Sequence, residues 1–285
     1  MWTEHRFVAF DGTPIFYRRA RCSGDRRGIV LVVHGMGEHS GRYEHVARYF
    51  SERGWESVLP DLRGFGKSGG PRAFAGCFSD FHRDLGALHR YTAGANKGIP
   101  IFFLGHSFGG LVASSYLAFC GHPGAAGLVL SSPIFGLAFR VPKWKHGLAF
   151  LASYLLPRCS QKSPVEPAML THDPAAISRY NEDLLVCHRV SSRLYAELVR
   201  MMGRKEEIAR RLDCPVLVLQ AGEDKVVSKD EAVSFYERLA SSNKELKVYP
   251  SYYHEILNEA GKEKVLSDAA HWMEDRLKAS LESRG

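Results

Sequence analysis

The pentapeptide Gly105, His106, Ser107, Phe108, Gly109 lies between an apolar run, Ile101 to Leu104, and a stretch of helical character, Gly110 to Cys120. A serine raised on a sharp strand-to-helix turn is held in a strained backbone conformation, where a Cβ on either flank would strike neighbouring chain. Gly105 and Gly109 remove those two collisions, and Gly110 lets the new helix lie close to the sheet. The chemistry open to such a serine is attack on a carbonyl carbon. It requires a base, a carboxylate to orient the base, and donors for the developing oxyanion.

Strand, elbow and helix together resemble the α/β-hydrolase arrangement, in which serine, acid and histidine follow in that order along the chain. Val216 to Gln220 reads as a buried strand emptying into Ala221, Gly222, Glu223 and Asp224. Leu246 to Tyr249 reads as the next strand, emptying into Pro250, Ser251, Tyr252, Tyr253 and His254. Asp224 and His254 therefore fall past strand ends on the edge that carries Ser107, where parallel sheets place their sites. Asp224 is preferred to Glu223 because a short side chain after a glycine-containing turn is the usual orienter.

Of the 13 histidines, His106 adjoins the nucleophile, but consecutive residues on a turn point apart. His271 belongs to a terminal amphipathic helix, and His34 is expected to order a loop rather than move protons. His254 alone has both the order and the strand-end setting of the base. The oxyanion donors are backbone groups: the N–H of Phe108 directly after the nucleophile, and that of Met36. Met36 lies in the loop His34 to His39, which follows the strand Ile29 to Val33 and contains Gly35 and Gly37.

These residues need a scaffold, and the hydrophobic pattern supplies one. Two N-terminal strands are expected around Phe7 to Phe10 and Ile15 to Arg21, turned by Asp11, Gly12 and Thr13. Apolar runs at Ile29 to Val33, Glu56 to Leu59, Ile101 to Leu104, Leu128 to Leu130, Val216 to Gln220 and Leu246 to Tyr249 form the parallel part. Helices are expected over Gly41 to Arg53, Phe78 to Ala93, the stretch after Ser107, Lys229 to Ser241 and Lys262 to Ser280. Such alternation implies an α/β sheet covered on both faces. It breaks between Ser132 and Asp213, where there is helical patterning and no strand signal. Residues 1–132 and 213–285 are thus expected to form the core, and 133–212 a helical cap, or lid, over the nucleophile.

The chain resembles the monoacylglycerol lipase and lysophospholipase branch of the α/β-hydrolase (serine aminopeptidase S33-like) superfamily. The resemblance is carried, in order, by HGMGEHSGRY (His34 to Tyr43), DLRGFGKSGG (Asp61 to Gly70), GHSFGG (Gly105 to Gly110), GEDKVVS (Gly222 to Ser228) and YYHEILNE (Tyr252 to Glu259). It implies an α/β-hydrolase fold: a mostly parallel central sheet, helices on both faces and a helical cap insertion. It also implies a triad of Ser107, Asp224 and His254, oxyanion donors at Met36 and Phe108, and hydrolysis of a monoacyl lipid ester with no metal or organic cofactor. Glu38 and Arg42 in the first motif, and Tyr180 in the cap segment Tyr180 to Leu184, become the candidate substrate-binding residues. Broader carboxylesterase, thioesterase or aminopeptidase activity would use the same triad, and a ligand-binding protein could keep the fold without the chemistry.

Composition narrows the partners. At 285 residues, 45% hydrophobic and 24% charged, the chain can bury one large core plus an insertion. Its net charge of +7 reads as a dispersed basic surface with some affinity for anionic lipid. No zinc-ligand spacing, RNA-stacking signature or concentrated basic arm argues for nucleic acid, and no obligate protein partner is implied. The loop Asp61 to Gly70 lacks the Walker lysine placement, so it reads as a structural turn. The six cysteines are scattered and read as reduced thiols. Gly147 to Leu156 is strongly apolar, flanked by Arg140, Lys143, Lys145 and Arg158, and too short to span a bilayer. It fits a lid helix packed on the core, a contact with the membrane interface, or a guide for an acyl chain toward the site. Met1 to Arg6 lacks the apolar core of a signal peptide, so the expectation is a cytoplasmic protein that can lie peripherally on a membrane.

Overall fold

The computed structural model describes residues 2–121 and 124–282. The core elements are β1 (Trp2–Val8), β2 (Pro14–Ala20), β3 (Gly28–Val33), α1 (Glu44–Ser51), β4 (Trp55–Pro60), α2 (Ser79–Ala95), β5 (Ile101–His106), α3 (Phe108–Cys120) and β6 (Ala125–Ser131). The insertion then contributes α4 (Lys143–Leu155), β7 (Ser160–Lys162), α5 (Pro174–Glu182), β8 (Arg189–Ser191), α6 (Ser192–Met202) and α7 (Lys205–Arg211). The core resumes with β9 (Val216–Ala221), α8 (Lys229–Glu237), β10 (Lys244–Tyr249) and α9 (Lys262–Glu282).

Eight strands form one sheet in the order β1-β2-β4-β3-β5-β6-β9-β10. The six from β4 to β10 run parallel, while β2 is antiparallel to both β4 and β1. The strand order reverses between β3 and β5, so the loops after these two strands open a crevice at the carboxyl edge. Every residue of β3, β4, β5 and β9 is buried, which is why β3, β5 and β9 read as largely apolar runs rather than alternating ones; in β4 the buried Glu56 is paired with Arg19 and Arg26.

Period-two geometry divides the core into two clusters. Ile29, Leu31, Val33 and Phe103 face α2 and α3, while Val30, Val32, Phe102 and Leu104 face α1 and α9. Among the described residues the insertion has no separate core. Leu194 and Leu198 of α6, and Ile208 of α7, join the cluster that holds Leu111 and Val112 of α3.

Several elements differ from the sequence expectation, among them the first strand, which runs Trp2–Val8 rather than around Phe7 to Phe10. The helix expected from Gly41 begins as a 3-10 turn, Ser40–Tyr43, capped by the His39 ring, and becomes α1 only at Glu44. α8 stops at Glu237 rather than Ser241, because the Lys244 ammonium donates to the carbonyls of Tyr236, Glu237 and Leu239 and so satisfies the helix end. The insertion also contains a two-stranded sheet where no strand was expected: β7 and β8 pair antiparallel, Ser160 opposite Ser191. Three residues per strand are too few to show a period of two.

Candidate active site

Ser107 links β5 to α3 with φ 52° and ψ −116°, a backbone region that L-residues avoid. Four backbone bonds hold it there. Its N–H donates to the Ser131 carbonyl at 2.9 Å, and its own carbonyl accepts from Gly110 at 3.0 Å and from Leu111 and Ile134 at 3.2 Å each. The flanking glycines are required by contact as well as conformation. A Cβ on Gly109 would lie 2.1 Å from the Val33 carbonyl oxygen, and one on Gly105 would lie 2.6 Å from that of Gly109. The turn also sets the hydroxyl at the N-terminus of α3, where the helix dipole favours negative charge.

The Ser107 hydroxyl stands 2.9 Å from His254 Nε2, and His254 Nδ1 stands 2.9 Å from Asp224 Oδ2. An ionised carboxylate only accepts, so the proton sits on Nδ1 and leaves Nε2 free to accept from the serine. The Asp224 Oδ1 atom accepts from the amides of Val226 and Val227 at 2.9 and 2.8 Å, which fixes the carboxylate plane. Burial pushes this carboxyl up, but His254 and the two amides outweigh it and hold it below the ordinary range. Burial likewise pushes His254 down, yet the charge and hydrogen bond of Asp224 leave it raised. The site thus stabilises an imidazolium at the position where one would form. Glu223, the neighbouring acid, is exposed, and its N–H donates to Tyr252.

The loop after β3 lies beside the elbow. His34 donates from Nδ1 to the Gly35 carbonyl at 2.7 Å and accepts at Nε2 from Leu62 at 2.9 Å, tying this loop to the one after β4. Burial pushes its imidazole down to about 4, so the ring is a neutral strut. Among the described residues, no hydrogen-bond acceptor meets the N–H of Met36 or of Phe108. Two unengaged amides beside a nucleophile are what an oxyanion would use. His106 is buried with its ring centroid 4.9 Å from that of His254, and its Nδ1 lies 3.1 Å from Ser131 Oγ. Burial drives it down to about 3, so it packs behind the base as a neutral ring.

Glu38, Arg42 and Tyr180 lie together next to this site, engaged with one another. Glu38 accepts from the Tyr43 hydroxyl at 2.7 Å and pairs with Arg42 at 2.9 Å. Arg42 in turn forks onto both oxygens of Glu255 at 2.8 Å, and its guanidinium lies 4.6 Å over the Tyr180 ring. Two buried carboxylates share one arginine. Burial and the Glu255 charge raise Glu38 against the pull of Arg42, while Arg42 holds Glu255 below the ordinary range despite its burial.

Several residues around the site were not singled out from sequence. The His39 ring meets Asp183 at 2.7 Å, and the Cys187 N–H donates to the Gly37 carbonyl at 2.7 Å, so the insertion touches the loop after β3. Glu255 and Glu259 lie in the motif that contains His254, four residues apart and both buried. Two buried acids in so short a loop are a signal that the loop is pinned rather than free. The loop Asp61 to Gly70 is structural, as expected: Asp61 accepts from the amides of Ser40 and Lys67. Arg63 reaches beyond that loop, forking onto Asp84 and pairing with Asp11. Among the described residues, no group of three or more His, Cys, Asp or Glu is arranged to hold a metal ion.

Comparison with known proteins places this geometry among relatives. The sequence profile described as "Serine aminopeptidase, S33" matches residues 24–261. The chain is 31% identical over 277 residues to a monoacylglycerol lipase of Mycolicibacterium smegmatis, covering 96% of this chain and 98% of that one. It is 30% identical over 242 residues to the phospholipase YtpA of Bacillus subtilis, covering 85% and 93%. The solved structure of the Paleococcus ferrophilus monoacylglycerol lipase superposes with a TM-score of 0.83 at 28% identity, covering 90% of this chain and 98% of that one.

Proposed function

This chain belongs to the serine aminopeptidase S33 family of α/β-hydrolases, and from that premise we propose that it is a serine hydrolase cleaving the carboxylic ester of a monoacyl lipid. The substrate is a monoacylglycerol or a lysophospholipid, and the products are a fatty acid and glycerol or a glycerophospho-alcohol. The observation that carries the reading is the unbroken chain Ser107, His254, Asp224, with 2.9 Å at each link. Similarity to a monoacylglycerol lipase and to a phospholipase supports the lipid ester as substrate.

The reaction runs in two steps. Ser107 Oγ attacks the ester carbonyl as its proton passes to His254 Nε2, and the N–H groups of Met36 and Phe108 receive the carbonyl oxygen as it becomes an oxyanion. Asp224 balances the imidazolium. His254 then protonates the departing alcohol oxygen, the C–O bond breaks, and the acyl group remains on Ser107. Water, deprotonated by the same imidazole, attacks the acyl-enzyme and releases the fatty acid. The residues from 133 to 212 act as a cap, with Tyr180, Glu38 and Arg42 disposed toward the polar end of the substrate.

The outer face of α4 serves access to lipid. Trp144, Leu148, Leu151 and Leu155 follow one another at helical spacing and are between 57% and 69% exposed. Exposed Arg140, Lys145 and Arg158 flank them. An apolar stripe with basic margins suits the interface of an anionic bilayer. Among the described residues no helix is long and apolar enough to cross a membrane, so the contact is peripheral.

Turnover of a panel of monoacylglycerols, lysophospholipids, and acetyl and butyryl esters tests the reading. Long-chain monoacyl lipids are expected to give the highest kcat/KM. Preference for acetyl esters or for amides would replace it with a general esterase or an aminopeptidase.

A further inference from the structure

The loop that carries His254 hangs from the insertion on both sides of the histidine. On one side the Tyr253 N–H donates at 2.9 Å to Glu259 Oε1. On the other the Glu255 N–H donates at 2.7 Å to the carbonyl of Leu170, in the insertion. Glu259 then reaches into the insertion itself. Its Oε2 accepts from the Thr171 hydroxyl and from the His172 N–H, each at 3.0 Å, and its Oε1 lies 2.9 Å from His172 Nδ1. The His172 ring also packs on Tyr253, with centroids 3.6 Å apart. Glu259 is only 2% exposed, so this carboxylate is held by four protein groups.

A buried carboxylate with so many donors is costly to assemble and stiff once assembled. Here the stiffness is delivered to the peptide units flanking the proposed base. We propose that Glu259 is a positioning residue: it fastens Thr171 and His172 of the insertion to Tyr253 and thereby sets the place of the His254 ring relative to Ser107. The segment above the nucleophile is in this way part of the scaffold of the base, and movement of residues 170–172 is felt at His254 Nε2. Glu259 touches none of the reacting atoms. The proposal rests on the hydrolase reading above.

The test uses the full chain and a water-soluble butyryl ester, too small to need the outer surface of the insertion. Glu259→Ala is expected to lower kcat by about 100-fold, the scale of a misplacement near 1 Å, with KM little changed and the near-ultraviolet circular dichroism of a folded protein. Glu259→Gln keeps one oxygen acceptor at the same reach but turns an NH2 toward two of the four donors, and is expected to recover part of that loss. Thr171→Val removes one of the four donors and is expected to lower kcat several-fold. The second readout is the downfield proton resonance of the His254 Nδ1–H, expected to shift or broaden in Glu259→Ala. Wild-type kcat in Glu259→Ala and Thr171→Val alike, together with an unmoved resonance in Glu259→Ala, would overturn the proposal, as would a rise in KM at constant kcat. Should Glu259→Ala not fold, Thr171→Val decides by both readouts: wild-type kcat with an unmoved resonance overturns the proposal. An inert wild type would instead overturn the hydrolase reading, and the resonance would still test the clamp.

Discussion

The carboxyl edge of the sheet and the outer face of α4 are built on opposite rules. At the edge, Ser107 follows a fully buried strand and is fixed by four backbone bonds, while the Asp224 carboxylate is fixed by two amides. On α4, Trp144, Leu148, Leu151 and Leu155 each leave more than half of their surface open to solvent. The first region spends backbone strain and burial to hold a few atoms within about 0.5 Å of a working geometry. The second leaves apolar surface uncovered, which a folded chain keeps only where something else will cover it. Under the proposed function, chemistry and access to substrate fall to different parts of the fold, and substitutions should separate them.

The largest effect is expected at the nucleophile. Ser107→Ala should lower kcat by about 10⁶-fold on every ester, since a nucleophile and its base act as a unit. Asp224→Asn should cost about 10⁴-fold by leaving the imidazole in the wrong tautomer. Its pH profile adds a sign. Asp224 raises His254, and the base must be neutral, so the acid limb of wild-type kcat/KM should lie above the ordinary histidine range. In Asp224→Asn that limb should move to lower pH. An unmoved limb would show that another group is being titrated.

Gly109→Ala comes next, since its Cβ would meet backbone rather than a flexible side chain. Loss of activity with lowered Tm is expected, and a variant of wild-type Tm and kcat would mean the elbow is looser than it stands here. The smallest effect on chemistry is expected on α4. Leu148→Asp with Leu151→Asp should leave kcat on a soluble butyryl ester within about two-fold, as exposed substitutions usually do. The same pair should weaken sedimentation with anionic vesicles by roughly ten-fold or more, from the loss of two interfacial leucines. Equal loss on soluble and vesicle-bound substrate would erase the division between the two regions.

The two regions also differ in how far the sequence discloses them. The inner strands β3, β5 and β9 announce themselves as apolar runs because both their faces are covered, and Gly105 and Gly109 mark the elbow because nothing larger fits. Asp224 and His254 follow from strand ends and a shared edge. The insertion is less legible. β7 and β8 are three residues long, below the length at which a pattern forms, and the apolar run 147–156 reads alike whether its helix faces protein or lipid. Links such as His39 to Asp183 and Thr171 to Glu259 join residues 144 and 88 positions apart. Periodicity is a local signal, so it carries no trace of them. Glu38 and Arg42 show the same limit: their motif is visible, whereas their mutual pairing and the fork onto Glu255 appear only in three dimensions.

Mapping the adduct of a fluorophosphonate by peptide mass spectrometry tests the central claim most directly. The account predicts one adduct, on Ser107, absent from Ser107→Ala and formed far more slowly in His254→Ala. An adduct that persists in Ser107→Ala, or that forms at the wild-type rate in His254→Ala, would contradict it.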